Sequence, residues 1–282
     1  MQYVNFFGHK VSKLIIGDNP FNGWSYIPEI FTKEDMIQYY DEDTILKTID
    51  HIEELGINTM LPLADPYIIR ILQHYRARGG KMQFIFQSYS PIMPEASFQQ
   101  MLSVDPIGCY VSGTFNDLQH ELGDDEAIPK QLEKFKTMGI PIGFGTHDPE
   151  LVQKCEAEGW NPDFYVTCLY NFRKGRKGEQ SGFITGKKKT NITFCAEDRE
   201  EMLDTLKDIQ KPILAFKLFG GGKIFLDKTE EEKRAAIKDA YNAAFTALKP
   251  DDFGAIGVFQ KYSDQLKENV EIFEEWCKEQ NL

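Results

Sequence analysis

The chain has 282 residues, 41% of them hydrophobic with 21 Phe and 12 Tyr, and a formal net charge of −12. That is enough apolar material for one large core, and the acidity excludes general affinity for the phosphates of nucleic acid, which demand a basic surface. Five scattered cysteines without a CxxC pair exclude a disulfide framework or a zinc ribbon and suit a reducing compartment.

Residues 1–10 carry no apolar run of signal-peptide length, and no stretch approaches the roughly 20 apolar residues of a membrane span, so a cytoplasmic location is expected. Short β-branched or aromatic runs then alternate with longer amphipathic segments along the whole chain. Strands are predicted over 13–17, 58–63, 83–87, 108–112, 141–146, 164–168, 213–218 and 255–259. Helices are predicted over 43–55, 66–78, 126–138, 149–158, 197–209, 230–248 and 263–279, with a weaker pattern near 95–104. Such alternation is the signature of βα units on a parallel sheet. Eight strands predict a single (β/α)8 TIM barrel spanning 1–282, whose active site lies at the C-terminal ends of its strands.

The segment 172–191, FRKGRKGEQSGFITGKKKTN, departs from this pattern, with seven Lys or Arg against one Glu. Following the sixth strand, it is expected to rise from the catalytic face, as a lid or as a solvated insertion.

Polar residues at strand ends are the candidates for chemistry. In ILAFKLF, the bulky Leu214, Phe216 and Leu218 are expected to face the helices, leaving Ala215 and Lys217 inward. Lys217 is the leading catalytic candidate, because an amine in such a place needs a carboxylate partner or a depressed pKa, and the latter suits imine or proton-transfer chemistry. In IPIGFGTHDPE, Gly143, Gly145 and His147 share the inward face. His147 is a candidate acid, base or metal ligand, while Asp148-Pro149 reads as a helix N-cap followed by proline. The first strand ends in LIIGDNPFNG, where Asp18 is a candidate base or counter-ion of Lys217, and Asn19 and Asn22 offer polar contacts or ordinary turns. Asn22, Asp65, Gln87, Thr114, Asn116, Tyr170 and Asn171 are the expected substrate-binding residues. Phe21, Trp24, Tyr26, Tyr89 and Tyr170 are expected to wall the pocket, or else to be core. The Gly220-Gly221-Gly222-Lys223 run after the seventh strand is either a phosphate site or a flexible turn.

The order of these motifs, LIIGDNPFNG, ELGINTMLPLADPY, IPIGFGTHDPELVQKCEAEGW, DFYVTCLYN, ILAFKLFGGGK and GVFQKYSDQLKENVEIF, resembles the aldo-keto reductase superfamily, and more closely a poorly characterised group of bacterial barrels related to it. The resemblance implies a nicotinamide cofactor, NADPH or NADH, held through Gly220, Gly221, Lys261, Lys267 and Asn269. The reductases' catalytic tetrad is not matched. Leu61 stands near the place of the Asp, Tyr67 only approximates the Tyr, Gln87 or Ser88 replaces the Lys, and Gly113 or Thr114 replaces the His.

The leading expectation is therefore a lyase or isomerase acting on a small polar metabolite: a sugar, a sugar acid or a related hydroxy-carbonyl compound. Lys217 would form an iminium or polarise a carbonyl, His147 would move protons, Asp18 would hold Lys217 or act as base, and Asn171 would orient substrate. Three alternatives stand beside it: a nicotinamide-dependent reductase with a degenerate tetrad, an Mg²⁺- or Mn²⁺-assisted enzyme using Asp18, His147 and Asp65, and a barrel that binds a ligand without chemistry.

Overall fold

The computed structural model describes residues 1–89, 94–171 and 194–282. A two-stranded hairpin, β1 (Tyr3–Phe6) and β2 (His9–Ser12), precedes eight parallel strands: β3 (Leu14–Gly17), β4 (Thr59–Leu61), β5 (Gln83–Gln87), β6 (Gly108–Val111), β7 (Ile142–Thr146), β8 (Phe164–Cys168), β9 (Ile213–Phe216) and β10 (Phe253–Ile256). The strands close in the order β10-β3-β4-β5-β6-β7-β8-β9, so the expected (β/α)8 barrel is present. The basic segment 172–191 lies outside the described residues.

Ten helices are described around the barrel: α1 (Lys33–Tyr39), α2 (Glu42–Glu54), α3 (Pro66–Ala77), α4 (Pro94–Leu102), α5 (Gly113–Leu122), α6 (Ala127–Lys136), α7 (Pro149–Ala157), α8 (Ala196–Leu206), α9 (Glu230–Ala247) and α10 (Gln265–Glu279). Among the described residues no helix is long and apolar enough to cross a membrane. Several begin at side-chain caps, of which the one at Asp148 was expected. Asp148 accepts from Glu150 N ahead of Pro149, and Thr229 with Glu232 forms a reciprocal capping box at α9, each satisfying amides that the first helical turn leaves without partners.

Two cores divide the apolar residues. The larger one lies between the strands and the helices and includes Ile142, Phe144, Ala215 and Leu218. The smaller one fills the barrel and includes Ile15, Ile85, Phe164, Val166, Leu214 and Phe253, joined by Val4, Phe6 and Val11 of the hairpin. The hairpin thus plugs the N-terminal end of the barrel, a feature the strand pattern did not reveal. Its tip, Phe7-Gly8, has positive φ at both residues (48° and 88°), which is what a two-residue hairpin turn of matching twist needs.

The phase expected for β9 is reversed. Leu214 faces the barrel interior and Ala215 the helices, because the interior of such a barrel is filled by layers of bulky side chains. In β7 the expected phase holds, and a Cβ on Gly143 would meet Phe164 at 2.6 Å inside the barrel. The last strand begins and ends earlier than predicted, at Phe253–Ile256, and α1 and α5 were not predicted.

Phe6 is fully buried, and its ring packs edge-on against Phe164 (5.0 Å) and Phe253 (5.4 Å). Replacing it with alanine opens a cavity at the base of the barrel, and Phe6→Ala is expected to lower stability by about 3–5 kcal/mol, read from the urea unfolding midpoint at unchanged m-value.

Candidate active site

A cavity of about 610 Å³ opens at the C-terminal ends of the strands. Trp24, Tyr26 and Tyr89 wall it as expected, while Gln87, Ser112 and Thr114 add hydrogen-bonding groups. Phe21 instead packs on Tyr40 (4.7 Å) in the outer core.

Lys217 does reach this cavity, for a reason other than strand alternation. β9 ends at Phe216, and Lys217 adopts φ +58°, a left-handed conformation that is uncommon for residues other than glycine. The 2.8 Å bond from Gly220 N to Lys217 O closes the turn there. Lys217 Nζ lies 4.8 Å from the Tyr26 ring centroid and 5.1 Å from that of Phe216, and 3.3 Å from Nε2 of His147.

His147 follows β7 and is 5% exposed. Its Nδ1 is 2.6 Å from Oδ2 of Asp117, a buried residue on α5. Asp117 also accepts from the Thr146 hydroxyl (2.6 Å) and from His147 N (3.3 Å). A carboxylate only accepts hydrogen bonds, so Nδ1 carries a proton toward Asp117, and in that tautomer Nε2 is the acceptor facing Lys217. The three residues stand in series, from a buried carboxylate through an imidazole to a cavity amine.

The approach of α5 to β7 depends on two glycines. A Cβ on Gly145 would lie 2.7 Å from Gly113 N and from Val111 O. One on Gly113 would lie 3.1 Å from the Thr146 backbone and 3.2 Å from His147 Nδ1. Asn116 stitches the same junction by donating to Gly145 O (2.8 Å) and Val111 O (3.3 Å). It is fully buried and serves this junction rather than substrate. Asp117 was missed in the sequence because 113–122 was not read as a helix. The signal was Ser112, whose side chain caps α5 through Thr114 N and so places Asp117 one turn along, against β7.

Asp18 lies at the end of β3, 4% exposed and lining the cavity. Burial pushes its carboxyl up to about 7, against hydrogen bonds that favour the charged form. Leu63 N (2.9 Å) and Asn22 Nδ2 (3.0 Å) both donate to Oδ2. Asp18 is therefore held by these neutral donors, and the expected pairing with Lys217 is replaced by the His147–Asp117 link. Asn22 acts by holding Asp18.

The remaining expected substrate ligands divide. Gln87 and Thr114 line the cavity, and Gln87 Oε1 accepts from the hydroxyl of Tyr110 (3.0 Å). Asp65 instead caps α3 through Tyr67 N and Ile68 N. Tyr170 is buried against Phe194 (5.4 Å), and neither it nor Asn171 lines the cavity.

The nicotinamide-binding set does not fit its implied role. A Cβ on Gly221 would meet the Tyr26 side chain at 2.8 Å and one on Gly222 would meet Ile27 at 2.9 Å, so the glycine face is already packed by the chain after β3. Gly220 N and Gly222 N donate within the turn, to Lys217 O and Phe219 O, and Lys223 pairs with Glu29 (3.5 Å), so these two amides and this ammonium are engaged within the protein. Lys261 pairs with Asp35 at 2.5 Å. Asn269 is buried, donating to Gln265 O and accepting from Tyr241. Lys267 N is capped by the Asp264 carboxylate at 3.0 Å, which places negative charge at the α10 N-terminus where a phosphate would be drawn. The metal set separates likewise: Asp65 is spent on its cap, His147 presents its two nitrogens to Asp117 and Lys217, and no group of three or more His, Cys, Asp or Glu among the described residues could hold an ion.

No protein-family model matches the sequence, and no curated protein matches it significantly. Among solved structures the chain is similar to the dihydropteroate synthase of Yersinia pestis, with TM-score 0.58 and 10% identity over 99% of each chain. It is also similar to the glycerol dehydrogenase of Gluconobacter oxydans (TM-score 0.56, 11% identity, 98% of this chain and 95% of that one). An aldo-keto reductase of Bacillus halodurans gives TM-score 0.56 and 12% identity over 97% and 90% of the two chains. The similarity to aldo-keto reductases thus holds for the barrel architecture.

The raised pKa of Asp18 has a stability consequence. The unfolded chain loses this proton near 3.8 and the native state near 7, so between these values the unfolded state binds fewer protons and stability falls as pH rises. Asp18→Asn removes that fall. Relative to the parent protein, the variant is expected to gain stability by up to about 4 kcal/mol between pH 4 and pH 8, measured by urea unfolding at both pH values. A difference independent of pH would contradict the assignment.

Proposed function

We propose that this barrel is an enzyme of lyase or isomerase type acting on a small hydroxylated carbonyl compound such as a sugar or sugar acid. The observation that carries the reading is the relay from Asp117 through His147 to Lys217 Nζ at the edge of the cavity. An amine is a nucleophile only when it can shed a proton, and Nε2 stands 3.3 Å away to receive it. Asp117 keeps the ring in the tautomer that accepts and stabilises the imidazolium that results, the role of an orienting carboxylate behind a catalytic histidine.

The step balances with these groups alone. Nζ adds to the carbonyl carbon, forming the C–N bond as the C=O π pair moves to oxygen. His147 gives that oxygen the proton it took from the ammonium, then takes a second proton from the nitrogen of the adduct and delivers it to the hydroxyl, which departs as water and leaves an iminium that withdraws electrons from the neighbouring carbon. The Tyr26 and Phe216 rings beside Nζ exclude water from the adduct. Gln87, Ser112 and Thr114 supply the hydrogen bonds that a hydroxylated substrate requires, with aromatic walls for the apolar faces of its carbons. A nicotinamide-dependent reduction draws no comparable support, because the groups that would hold the cofactor are engaged within the protein.

Borohydride reduction in the presence of sugars, sugar acids and simple hydroxy ketones, followed by peptide mass mapping, is expected to leave a reduced adduct on Lys217. A carbonyl compound that raises the thermal midpoint yet leaves Lys217 unmodified would favour a ligand-binding barrel without imine chemistry. Asp117→Asn is expected to lower turnover by about 10²–10⁴-fold while largely sparing KM, since the tautomer rather than the pocket is altered.

A further inference from the structure

We propose that Asp18 is the second acid–base group of this site and that the substrate is a β-hydroxycarbonyl compound whose Cα–Cβ bond is broken or made. The proposal rests on the reading of Lys217 as the imine-forming amine. It starts from the positions of the two groups around the barrel. Lys217 follows β9 and Asp18 ends β3, with β10 between them. Two strand spacings separate their backbones by roughly 9–10 Å, and both residues line the same cavity. That gap suits a lysine bonded to a carbonyl carbon at one side and a hydroxyl two carbons along the substrate at the other.

The way each group is held divides the work. His147 is committed to the amine, with Nε2 on Nζ and Nδ1 on Asp117. It is not placed to serve a second oxygen further along the substrate. In Asp18, the donors from other described residues, Leu63 N and Asn22 Nδ2, both fall on Oδ2, its own backbone amide also favours the charged form, and Oδ1 takes no hydrogen bond from another described residue, so it is the oxygen turned to a ligand. A proton affinity near neutrality, caused mainly by burial, lets this carboxyl both take a proton and return it. Of the other carboxylates at the cavity, Glu230 is paired with Lys233 (2.6 Å) at the start of α9, and Glu268 lies on α10, away from the strand ends that carry Lys217 and His147.

The electron flow closes without a further reactant. Asp18 takes the proton of the β-hydroxyl, the O–H pair becomes the C=O of a departing aldehyde, and the Cα–Cβ pair moves into the iminium to give an enamine. Protonation at Cα returns the proton, and water hydrolyses the iminium to free Lys217.

The test compares the parent protein with Asp18→Asn on a panel of β-hydroxy ketones and β-hydroxy keto acids, each with and without a terminal phosphate. Three signals are read: released aldehyde, borohydride-trapped adduct on Lys217 with the product ketone, and deuterium exchange at the ketone's α-carbon. Cleavage by the parent protein, with at least about 10²-fold loss in Asp18→Asn and an undiminished Lys217 adduct, is the expected result. Cleavage by Asp18→Asn within about tenfold of the parent overturns the proposal. So does a parent protein that forms the adduct and exchanges the α-proton but cleaves no member of the panel, and so does loss of adduct together with cleavage in the variant, which would make Asp18 a support of the site. Failure of the parent protein to form any adduct overturns instead the reading of Lys217.

Discussion

The buried carboxylate of Asp117 gathers the Thr146 hydroxyl, the His147 amide and the His147 ring at one point, and the chemistry open to the cavity depends on that contact. Without an acceptor at Nδ1 the imidazole has no preferred tautomer, and Nε2 would be as often a donor as an acceptor toward Lys217. Burial of Asp117 is tolerable because it is fully hydrogen-bonded; a carboxylate buried without partners would be strongly destabilising. The contact also has a steric precondition. α5 must lie against β7 closely enough that no side chain can be accommodated at Gly145 and hardly one at Gly113, and Asn116 bonds the two elements at the same level.

The rest of the barrel holds this arrangement still. Below the cavity, the interior is packed by Ile15, Ile85, Val166, Leu214 and the aromatic cluster of Phe6, Phe164 and Phe253, and the N-terminal hairpin seals that end. Above it, the chain after β3 packs Tyr26 and Ile27 onto the glycine turn after β9. The same contact sets Tyr26 beside Lys217 and occupies the glycine face that a cofactor would need.

Asp18 and Lys217 illustrate how two ionisable residues at strand ends acquire different surroundings. Asp18 is buried among neutral donors and keeps its proton to near neutrality, whereas Lys217 ends in reach of an imidazole and between two rings. Neither partner set could be chosen from chain order. The carboxylate expected to serve the lysine was Asp18, 199 positions before it, and the one that does so through His147 is Asp117.

The sequence by itself determined the barrel, since eight apolar runs alternating with amphipathic helices admit few other folds, and it singled out Lys217, His147 and Asp18 because polar residues at strand ends break an otherwise apolar pattern. It also identified Asp148 as a cap, an interaction spanning two residues. What only the tertiary structure decided are the interactions between distant segments. Leu214 rather than Ala215 faces inward because the barrel needs filling, and Lys217 reaches the cavity through a left-handed backbone rather than through alternation. Asp65 and Asn116 took structural roles in place of their expected ones, and Asp117, not singled out in the sequence, became the partner of His147, according to which helix each one begins or packs. Local pattern is a matter of neighbours along the chain, whereas the pairing of Asp117 with His147 depends on how closely a helix and a strand approach, and that distance is set by packing.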